Sequence, residues 1–332
     1  MEKIPVFFTF DKNYVVAAGV AIYSLLKHAA PTYEYKLYVL HTDIPAKAQR
    51  ELARLAGRFG NASLEFIDTS AFDDSEHIRQ SKAHFSKEIY YKLIAAEIFP
   101  QYDRIICSDV DVVFTGDISE SYFMHPDRFF YFAGIGQILE SDRMKNYAGK
   151  FTEEETKILK KEIAAGYLLM NLQAIRRDSM QKKLTDYYKA NYHRLCLPEQ
   201  DCIILCCWPH VEYLPIKFCV CNYYYNVNPA TAAFYRDNDR LPAVHEQAAH
   251  LFAEALAHPV QLHYVGENKP WNSLSVPKHG LWLALLRESG YTGRLLRDLP
   301  RLMRQRLRRY SLKRFLSKIA NRFTSKSNHY GK

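Results

Sequence analysis

The segment that most constrains this chain runs from Asp103 to Phe114, an apolar, β-rich stretch that carries the carboxylates Asp109 and Asp111. Residues two apart in an extended strand point to the same side, so the two acids can face one cation while Val110 turns into the core. Ionised carboxylates at the end of a buried strand are costly unless a cation or another partner compensates them. The segment therefore predicts a metal site, with solvent-exposed acids at a strand end as the alternative reading.

A second pair with the same spacing shows that spacing alone is weak evidence. Asp237 and Asp239 flank Asn238, but this triplet lies in the polar run 235–240. No apolar strand is available there to direct the two carboxylates towards one point. The context of Asp109 and Asp111, and not their spacing, therefore supports the metal prediction.

Apolar strands alternate with helices in the first third of the chain. Polar turns separate them, as in α/β units, which predicts a mainly parallel sheet flanked by helices. Ligands of such sheets bind beyond the carboxyl ends of the strands, where Asp11 and Asp109 both lie, which indicates a shared nucleotide site. The predicted strands are 6–10, 35–41, 63–68 and 103–114, followed less regularly by 129–135, 165–172, 211–228 and 260–265, and the predicted helices are 15–28, 45–59, 86–99, 177–192 and 200–207.

The charge is divided unevenly along the chain. Residues 294–332 hold 13 of the 45 basic residues and one of the 36 acidic residues, so the rest of the chain is mildly acidic. No internal repeat or low-complexity linker interrupts the body, which predicts one domain over 1–275 and a basic helical tail over 276–332.

The tail has the pattern of a helix that can lie on a membrane. Its apolar residues recur three and four apart among many Lys and Arg, so residues 294–323 are predicted to bind an anionic membrane surface. The alternative is a solvated basic face that packs on its own domain. No pattern of aromatic platforms accompanies the basic run, so no nucleic acid is expected as a partner. The apolar positions are Leu312, Phe315, Leu316, Ile319 and Phe323.

Hydropathy and cysteine usage predict a location in the cytoplasm, at the cytoplasmic face of the membrane. No apolar run reaches the roughly eighteen residues of a membrane span, and the first residues lack the pattern of a secretion signal. Seven cysteines, an odd number, fit a reducing compartment better than a disulfide framework. Their cluster is interpreted as core, with a zinc site as the alternative. The clustered residues are Cys202, Cys206, Cys207, Cys219 and Cys221.

Six short motifs, taken in their order and spacing, resemble the family 8 glycosyltransferases. These are retaining enzymes of the GT-A fold that include bacterial lipopolysaccharide galactosyl- and glucosyltransferases, and the resemblance spans residues 5–275. Its most specific part is His263 followed by Lys269-Pro270-Trp271. The motifs are 8–14, 90–93, 108–111, 165–172, 198–201 and 262–271.

The resemblance implies a metal-dependent UDP-sugar site. Asp109, Asp111 and His263 would hold Mn²⁺, with Mg²⁺ as the alternative, and the diphosphate of the donor would complete the coordination shell. The metal would neutralise the charge that develops on the departing UDP, and Lys269 would contact the diphosphate. The resemblance also assigns donor-binding positions. Asp11 and Tyr14 would read uracil by hydrogen bond and ring stacking, with Asn13 nearby, and the other positions are Lys92, Val110, Gly166 and Gly266.

Three positions differ from the usual family pattern. Ala164 replaces an Asn expected to contact the donor sugar, Lys92 replaces an Arg, and Glu199 replaces an Asp before Gln200-Asp201. Lysine cannot form the bidentate fork of arginine. All three differences bear on the identity of the donor sugar.

The implied reaction moves glucose or galactose to a glycan or lipid-linked saccharide, with retention at the anomeric carbon. Gln200 would lie near that carbon as a stabilising group during front-side attack, and Glu199 is the rival candidate for a covalent role. Two other functions stay open on the sequence. A sugar-nucleotide nucleotidyltransferase would also use an α/β sheet and metal-binding carboxylates, and a non-catalytic membrane-binding or nucleic-acid-binding protein would explain the tail.

Overall fold

A computed structural model describes residues 1–72, 87–140, 142–235 and 241–309 of the chain. Its larger sheet has seven strands in the order β3-β2-β1-β4-β7-β6-β8. The four strands β3, β2, β1 and β4 are parallel, as predicted, whereas β7 runs antiparallel to both β4 and β6. The strands are β1 (Glu2–Thr9), β2 (Tyr33–His41), β3 (Ala62–Asp68), β4 (Arg104–Ser108), β6 (Phe132–Gly136), β7 (Ile163–Asn171) and β8 (Val211–Tyr213).

A second sheet of three short strands carries the other half of the site. It consists of β5 (Val112–Phe114), β9 (Val220–Cys221) and β10 (Gln261–His263), with β10 in the middle. Strand β10 is antiparallel to β5 and places His263 opposite Val112. Residues that are about 150 positions apart in sequence therefore meet directly beside the two acids.

The prediction of one strand over 103–114 is wrong in one respect. Strand β4 ends at Ser108 and β5 begins at Val112, and the two belong to different sheets. The chain bends at residues 109–111, with Val110 buried as predicted. The bend keeps the carboxylates of Asp109 and Asp111 out of the apolar interior of either sheet, where an unpaired charge would be costly.

Helices cover both faces of the larger sheet. They are α1 (Val15–Lys27), α2 (Ala46–Ala56), α3 (Ala95–Ile98), α4 (Ser119–Tyr122), α5 (Glu153–Leu159), α6 (Leu172–Arg177), α7 (Met180–Asn191), α8 (Pro198–Cys207), α9 (His245–Ala257), α10 (His279–Ser289) and α11 (Thr292–Arg309). One hydrophobic cluster contains Phe8 and Trp282, and the cluster on the other face contains Phe7 and Phe99. Neighbouring residues of β1 thus point to opposite faces and join two separate cores.

Three predicted elements are divided in the structure. The helix predicted over 86–99 is a 3-10 helix (Lys87–Ile94) that leads into α3, in a segment where Ile and Tyr lower the α-helix propensity. Most of the helix predicted over 177–192 is present as α7, which begins after Ser179, whose left-handed backbone has a φ of 52°; only Arg177 belongs to α6. The strand predicted over 211–228 is interrupted at Pro215, which lacks an N–H donor, and continues as turns around β9.

The described part of the tail is helical, as predicted. Helix α10 packs against α1 of the body, and Arg294 at the start of α11 is hydrogen-bonded to Glu51. Among the described helices, none is long and apolar enough to cross a membrane. The apolar positions predicted between 312 and 323 lie outside the described residues, as do Asp237, Asn238 and Asp239.

Candidate active site

The three predicted metal ligands lie together at the junction of the two sheets. Asp109 and Asp111 occupy the bend between β4 and β5, and His263 ends β10. His263 Nε2 lies 3.2 Å from Asp111 Oδ1 and 3.6 Å from Asp109 Oδ2. Within the described residues, these three form the only group of His, Cys, Asp and Glu side chains that could hold a metal ion, with one ligand atom from each within 4.8 Å of the others. Two carboxylates and an imidazole suit Mn²⁺ or Mg²⁺.

Gly166 is the residue that makes room for this cluster. A Cβ atom at this position would come within 2.4 Å of His263 Cε1 and 2.5 Å of Nδ1. The carbonyl of Gly166 also accepts a hydrogen bond from the backbone N–H of Asp109, at 3.1 Å. The structure thus gives this glycine a role in placing His263, in addition to the donor contact that the resemblance implies.

Lys92 lies inside a network of charged groups. Its Nζ donates to Asp109 Oδ1 at 2.6 Å and to the carbonyl of Ala165 at 2.9 Å, and it lies 3.9 Å from Glu199 Oε1. The residue is only 2% exposed. Burial by itself lowers the pKa of Lys92, but the nearby charge of Asp109 leads the groups that raise this pKa above its ordinary value. Lys92 is therefore a fixed positive charge between Asp109 and helix α8.

Lys269 provides a second positive charge, from the loop after β10. Its Nζ lies 2.5 Å from Asp111 Oδ2 and 2.6 Å from the carbonyl of Tyr264. Burial tends to raise the pKa of Asp111, but the charges of Lys269 and His263 outweigh it and hold this pKa far below its usual range. Gly266 has a φ of 83°, a backbone conformation that favours glycine and lets the loop turn back towards the bend.

The other ring nitrogen of His263 faces a thiol. Cys219 Sγ lies 3.6 Å from Nδ1, and Cys219 is buried. Burial tends to lower the pKa of His263, but the carboxylates of Asp111 and Asp109 raise it. The sequence placed Cys219 in the core and gave no sign that it contacts the metal cluster, since the contact depends on the pairing of β9 with β10.

Glu199 and Gln200 begin helix α8, next to strand β7. Gln200 Oε1 accepts a hydrogen bond from the backbone N–H of Ala165 at 3.2 Å. Glu199 is buried, its Oε2 has no hydrogen-bond partner among the described residues, and burial raises its pKa. Asp201, by contrast, accepts hydrogen bonds from Tyr147 Oη and from two backbone N–H groups, so its role is to hold the turn before the helix.

The predicted uracil-binding residues lie after β1. Asp11 accepts hydrogen bonds from the backbone N–H and from Nδ2 of Asn13, each at 2.8 Å. The ring of Tyr14 meets Trp271 edge to face, with 5.9 Å between the ring centroids. Because Trp271 follows Lys269 by two residues, this contact joins the end of β1 to the loop that carries Lys269.

A separate cavity of about 550 Å³ is mostly apolar. It lies between the ends of β6 and β8 and helix α9, and its lining includes Ile135, Leu214 and Leu251. None of the site residues predicted from the sequence lines it.

Comparisons with known proteins place this site in a family. The family model described as Glycosyl transferase family 8 matches residues 5–275. General stress protein A of Bacillus subtilis is 23% identical over 269 residues, which are 79% of this chain and 85% of that protein. Lipopolysaccharide 1,3-galactosyltransferase of Salmonella typhimurium is 20% identical over 278 residues, which are 82% of this chain and 74% of that protein.

Solved structures agree on the fold. The galactosyltransferase LgtC, in complex with donor and acceptor sugar analogs, superposes with a TM-score of 0.65 at 18% identity, over 86% of this chain and 96% of that one. The apo structure of the bifunctional glycosyltransferase WbbM gives a TM-score of 0.70 at 22% identity over 89% of this chain, which spans about half (51%) of the WbbM chain. The predicted α/β architecture of the GT-A type is thereby confirmed.

Proposed function

Because this chain belongs to glycosyltransferase family 8, we propose that it is a retaining, Mn²⁺-dependent enzyme that moves glucose or galactose from a UDP-sugar to a glycan or lipid-linked saccharide. The observation that carries the proposal is the meeting of Asp109, Asp111 and His263 at one point, with Lys269 beside them. Membership of this family identifies the protein as a glycosyltransferase and favours this function over that of a sugar-nucleotide nucleotidyltransferase.

The metal ligands would serve the departure of UDP. Asp109, Asp111 and His263 would hold the ion, which supplies charge neutralisation at the diphosphate when bound. Lys269 would add a point charge from the opposite side of Asp111, within reach of the same phosphates. These residues stabilise the leaving group, so transfer needs no acid to protonate the nucleotide.

The donor nucleotide would lie between the end of β1 and the loop after β10. The carboxylate of Asp11 accepts two hydrogen bonds from Asn13, which leaves its remaining lone pairs to read the uracil edge. Tyr14 would stack on the base, and its edge contact with Trp271 fixes the orientation of its ring. Val110, Gly166 and Gly266 line the path from the uracil-binding residues to the metal cluster in the proposed complex.

The donor sugar would lie next to helix α8. Glu199 Oε2 is a buried acceptor with no hydrogen-bond partner in the part of the chain that the structure describes, and a sugar hydroxyl is a donor of suitable size and polarity for it. Lys92 holds the other side of this carboxylate through its charge and would contact the donor from the same place. Glu199 has one methylene more than the Asp that is usual at this position, so its carboxylate reaches further. Glu199 and Lys92 would therefore help to determine which hexose the enzyme accepts.

Gln200 would stabilise the anomeric carbon during front-side attack. Its amide oxygen is already held by the backbone N–H of Ala165, which fixes the side chain beside β7. The proton of the acceptor hydroxyl would pass to a phosphate oxygen of the departing UDP, and the sugar would keep its anomeric configuration. Glu199 is the alternative nucleophile, but Lys92 and the surrounding core hold it as a positioned acceptor.

We also propose that residues 294–323 attach the enzyme to the cytoplasmic face of a membrane. In support, α11 contains Arg residues at six positions from 297 to 309, and Leu296 is exposed. Basic residues near an anionic surface each contribute about 1 kcal/mol of attraction. A lipid-linked acceptor would then be presented at the same surface.

Release of UDP tests the proposed activity. UDP-glucose and UDP-galactose are each incubated with the full chain, Mn²⁺ and candidate saccharide acceptors, and UDP and the glycosylated product are measured. Wild type should release UDP only with the metal, Asp111→Asn should release none, and the exposed-site control Asp186→Asn should match wild type. Equal release by wild type and Asp111→Asn would contradict the metal assignment.

A further inference from the structure

Two ammonium groups lie against the two carboxylates of the metal cluster. Lys92 Nζ is 2.6 Å from Asp109 Oδ1, and Lys269 Nζ is 2.5 Å from Asp111 Oδ2. Both lysines are buried, at 2% and 8% exposure. Water therefore screens these contacts poorly, and each ammonium offsets much of the negative charge of the carboxylate that it contacts.

The net negative charge of the metal cluster and the charged groups beside it is too small to neutralise a dication. Asp109, Asp111 and Glu199 bring three carboxylates, and Lys92 and Lys269 bring two ammonium groups, which leaves a formal charge of −1. A divalent cation at Asp111 would also lie close to the ammonium of Lys269, and like charges at that distance repel each other. The anionic oxygens of a diphosphate would offset both positive charges.

The ammonium groups of Lys92 and Lys269 differ in their contacts beyond Asp109 and Asp111. Lys92 lies between Asp109, the carbonyl of Ala165 and Glu199, on the core side of the cluster. Lys269 lies in the loop 264–272, and its second hydrogen bond goes to Tyr264 in the same loop. Among the residues that the structure describes, Asp111 is the only hydrogen-bond partner of Lys269 Nζ outside that loop, so Lys269 can change partners without opening the core.

We propose that Lys269 makes the divalent cation and the nucleoside diphosphate bind cooperatively. It neutralises Asp111 and so opposes binding of the cation alone, and the diphosphate draws its ammonium away from Asp111 and frees Oδ2 for the metal. This role rests on the proposed function, because it requires a cation at Asp111 and a diphosphate within reach of Lys269. It explains how a site with two built-in cations can still recruit a dication when the donor is present.

The sign of one effect separates this role from simple diphosphate binding. A lysine that only binds phosphate changes the affinity for nucleotide and leaves the affinity for the cation alone unchanged. A lysine that competes at Asp111 weakens the binding of the cation alone, so its removal should strengthen that binding. Because coupling is reciprocal, the same removal should reduce the effect of UDP on cation binding.

Binding of Mn²⁺, followed by the electron paramagnetic resonance signal of the free ion, provides the test. The full chain is titrated with Mn²⁺ in the presence and absence of UDP for wild type, Lys269→Met, Lys269→Arg and the surface control Lys182→Met, whose exposed ammonium contacts only the exposed Asp186 among the described residues. Lys269→Met should bind Mn²⁺ alone more tightly than wild type by about 5- to 150-fold, the usual range of such couplings. In the same variant, the gain in Mn²⁺ affinity caused by UDP should shrink by a similar factor. Lys269→Arg, which keeps the charge, and Lys182→Met should both resemble wild type.

Three outcomes would overturn the inference. The first is an unchanged or weaker affinity of Lys269→Met for Mn²⁺ alone, and the second is an undiminished effect of UDP in that variant. The third is binding of Mn²⁺ by Lys269→Arg that is as tight as binding by Lys269→Met, since the charge of Lys269 would then not be the cause. A wild type that binds neither Mn²⁺ nor UDP would instead overturn the proposed function, so the two failures can be told apart.

Discussion

Replacement of Gly166 by alanine tests how the metal cluster is built. The added Cβ would lie 2.4 Å from His263 Cε1, whereas ordinary contact begins near 3.4 Å, so the imidazole must move by about 1 Å or the strand must shift. The pushed atom Cε1 is bonded to Nε2, the ring nitrogen that faces Asp109 and Asp111, so Nε2 must move with it. The substitution therefore displaces His263 without replacing Asp109, Asp111 or His263 itself.

The size of the effect follows from metal geometry. Functional metal sites hold their ligand distances to within about 0.2 Å, so a displacement of about 1 Å removes His263 from the coordination shell. Disturbing even the partner of a ligand costs about 10- to 100-fold in metal affinity, or about 1.4 to 2.7 kcal/mol, and Gly166→Ala should lose at least this much. Overpacking of the strand should add a loss of about 1 to 3 kcal/mol in the free energy of unfolding.

Gly280→Ala is the matched control, because a Cβ in this helical position meets nothing within 4 Å. It should keep the Mn²⁺ affinity of wild type and unfold at the same temperature or slightly higher. Isothermal calorimetry with Mn²⁺ and UDP, together with thermal unfolding, measures both effects. A Gly166→Ala protein that binds the cation as tightly as wild type would refute the assignment of His263 as a ligand held in place by this glycine.

Three further predictions concern other parts of the chain. Gln200→Ala should slow transfer without abolishing it and should leave UDP affinity near that of wild type; complete loss of UDP binding would show that Gln200 acts elsewhere. Hydrogen bonds from Arg177 and then Tyr131 lower the pKa of Asp178 to about 2, so its stabilising contribution is complete above its unfolded pKa of about 3.9 and is lost as the pH falls towards 2. Asp178→Asn should thus unfold at a lower temperature than wild type at pH 7 and at the same temperature near pH 2, and an equal difference at both pH values would contradict this. Deletion of residues 294–332 should release the protein from anionic liposomes in a sedimentation assay, and unchanged sedimentation would exclude the tail as the attachment site.

The parallel half of the fold could be predicted because its signals are local. Each strand from β1 to β4 is an apolar run followed by a polar turn, and this alternation by itself predicts where Asp11 and Asp109 lie. That Asp109 and Asp111 have charged partners was also predictable, since two carboxylates beside an apolar strand require a partner. Identification of His263 needed the resemblance to a family, because a lone histidine in a strand carries no such signal.

The contacts that tune the site could not be predicted, because they join residues far apart in the chain. Lys269 and Asp111 are 158 positions apart, and their contact depends on the pairing of β10 with β5 in a sheet that the sequence did not reveal. The same pairing places His263 where it would clash with any side chain at position 166, and the pairing of β9 with β10 brings Cys219 to His263. The division of the segment 103–114 between two sheets has the same origin, since each short strand is defined by its partners and not by its own residues.

Titration of UDP into the full chain by calorimetry, with and without Mn²⁺, tests the central claim most directly. Wild type should bind UDP tightly only with the metal, and Asp111→Asn should lose this metal-dependent binding because it lacks a carboxylate ligand. Binding of UDP by wild type that is the same with and without Mn²⁺, or that persists in Asp111→Asn, would contradict the claim that Asp109, Asp111 and His263 form the metal site of a glycosyltransferase.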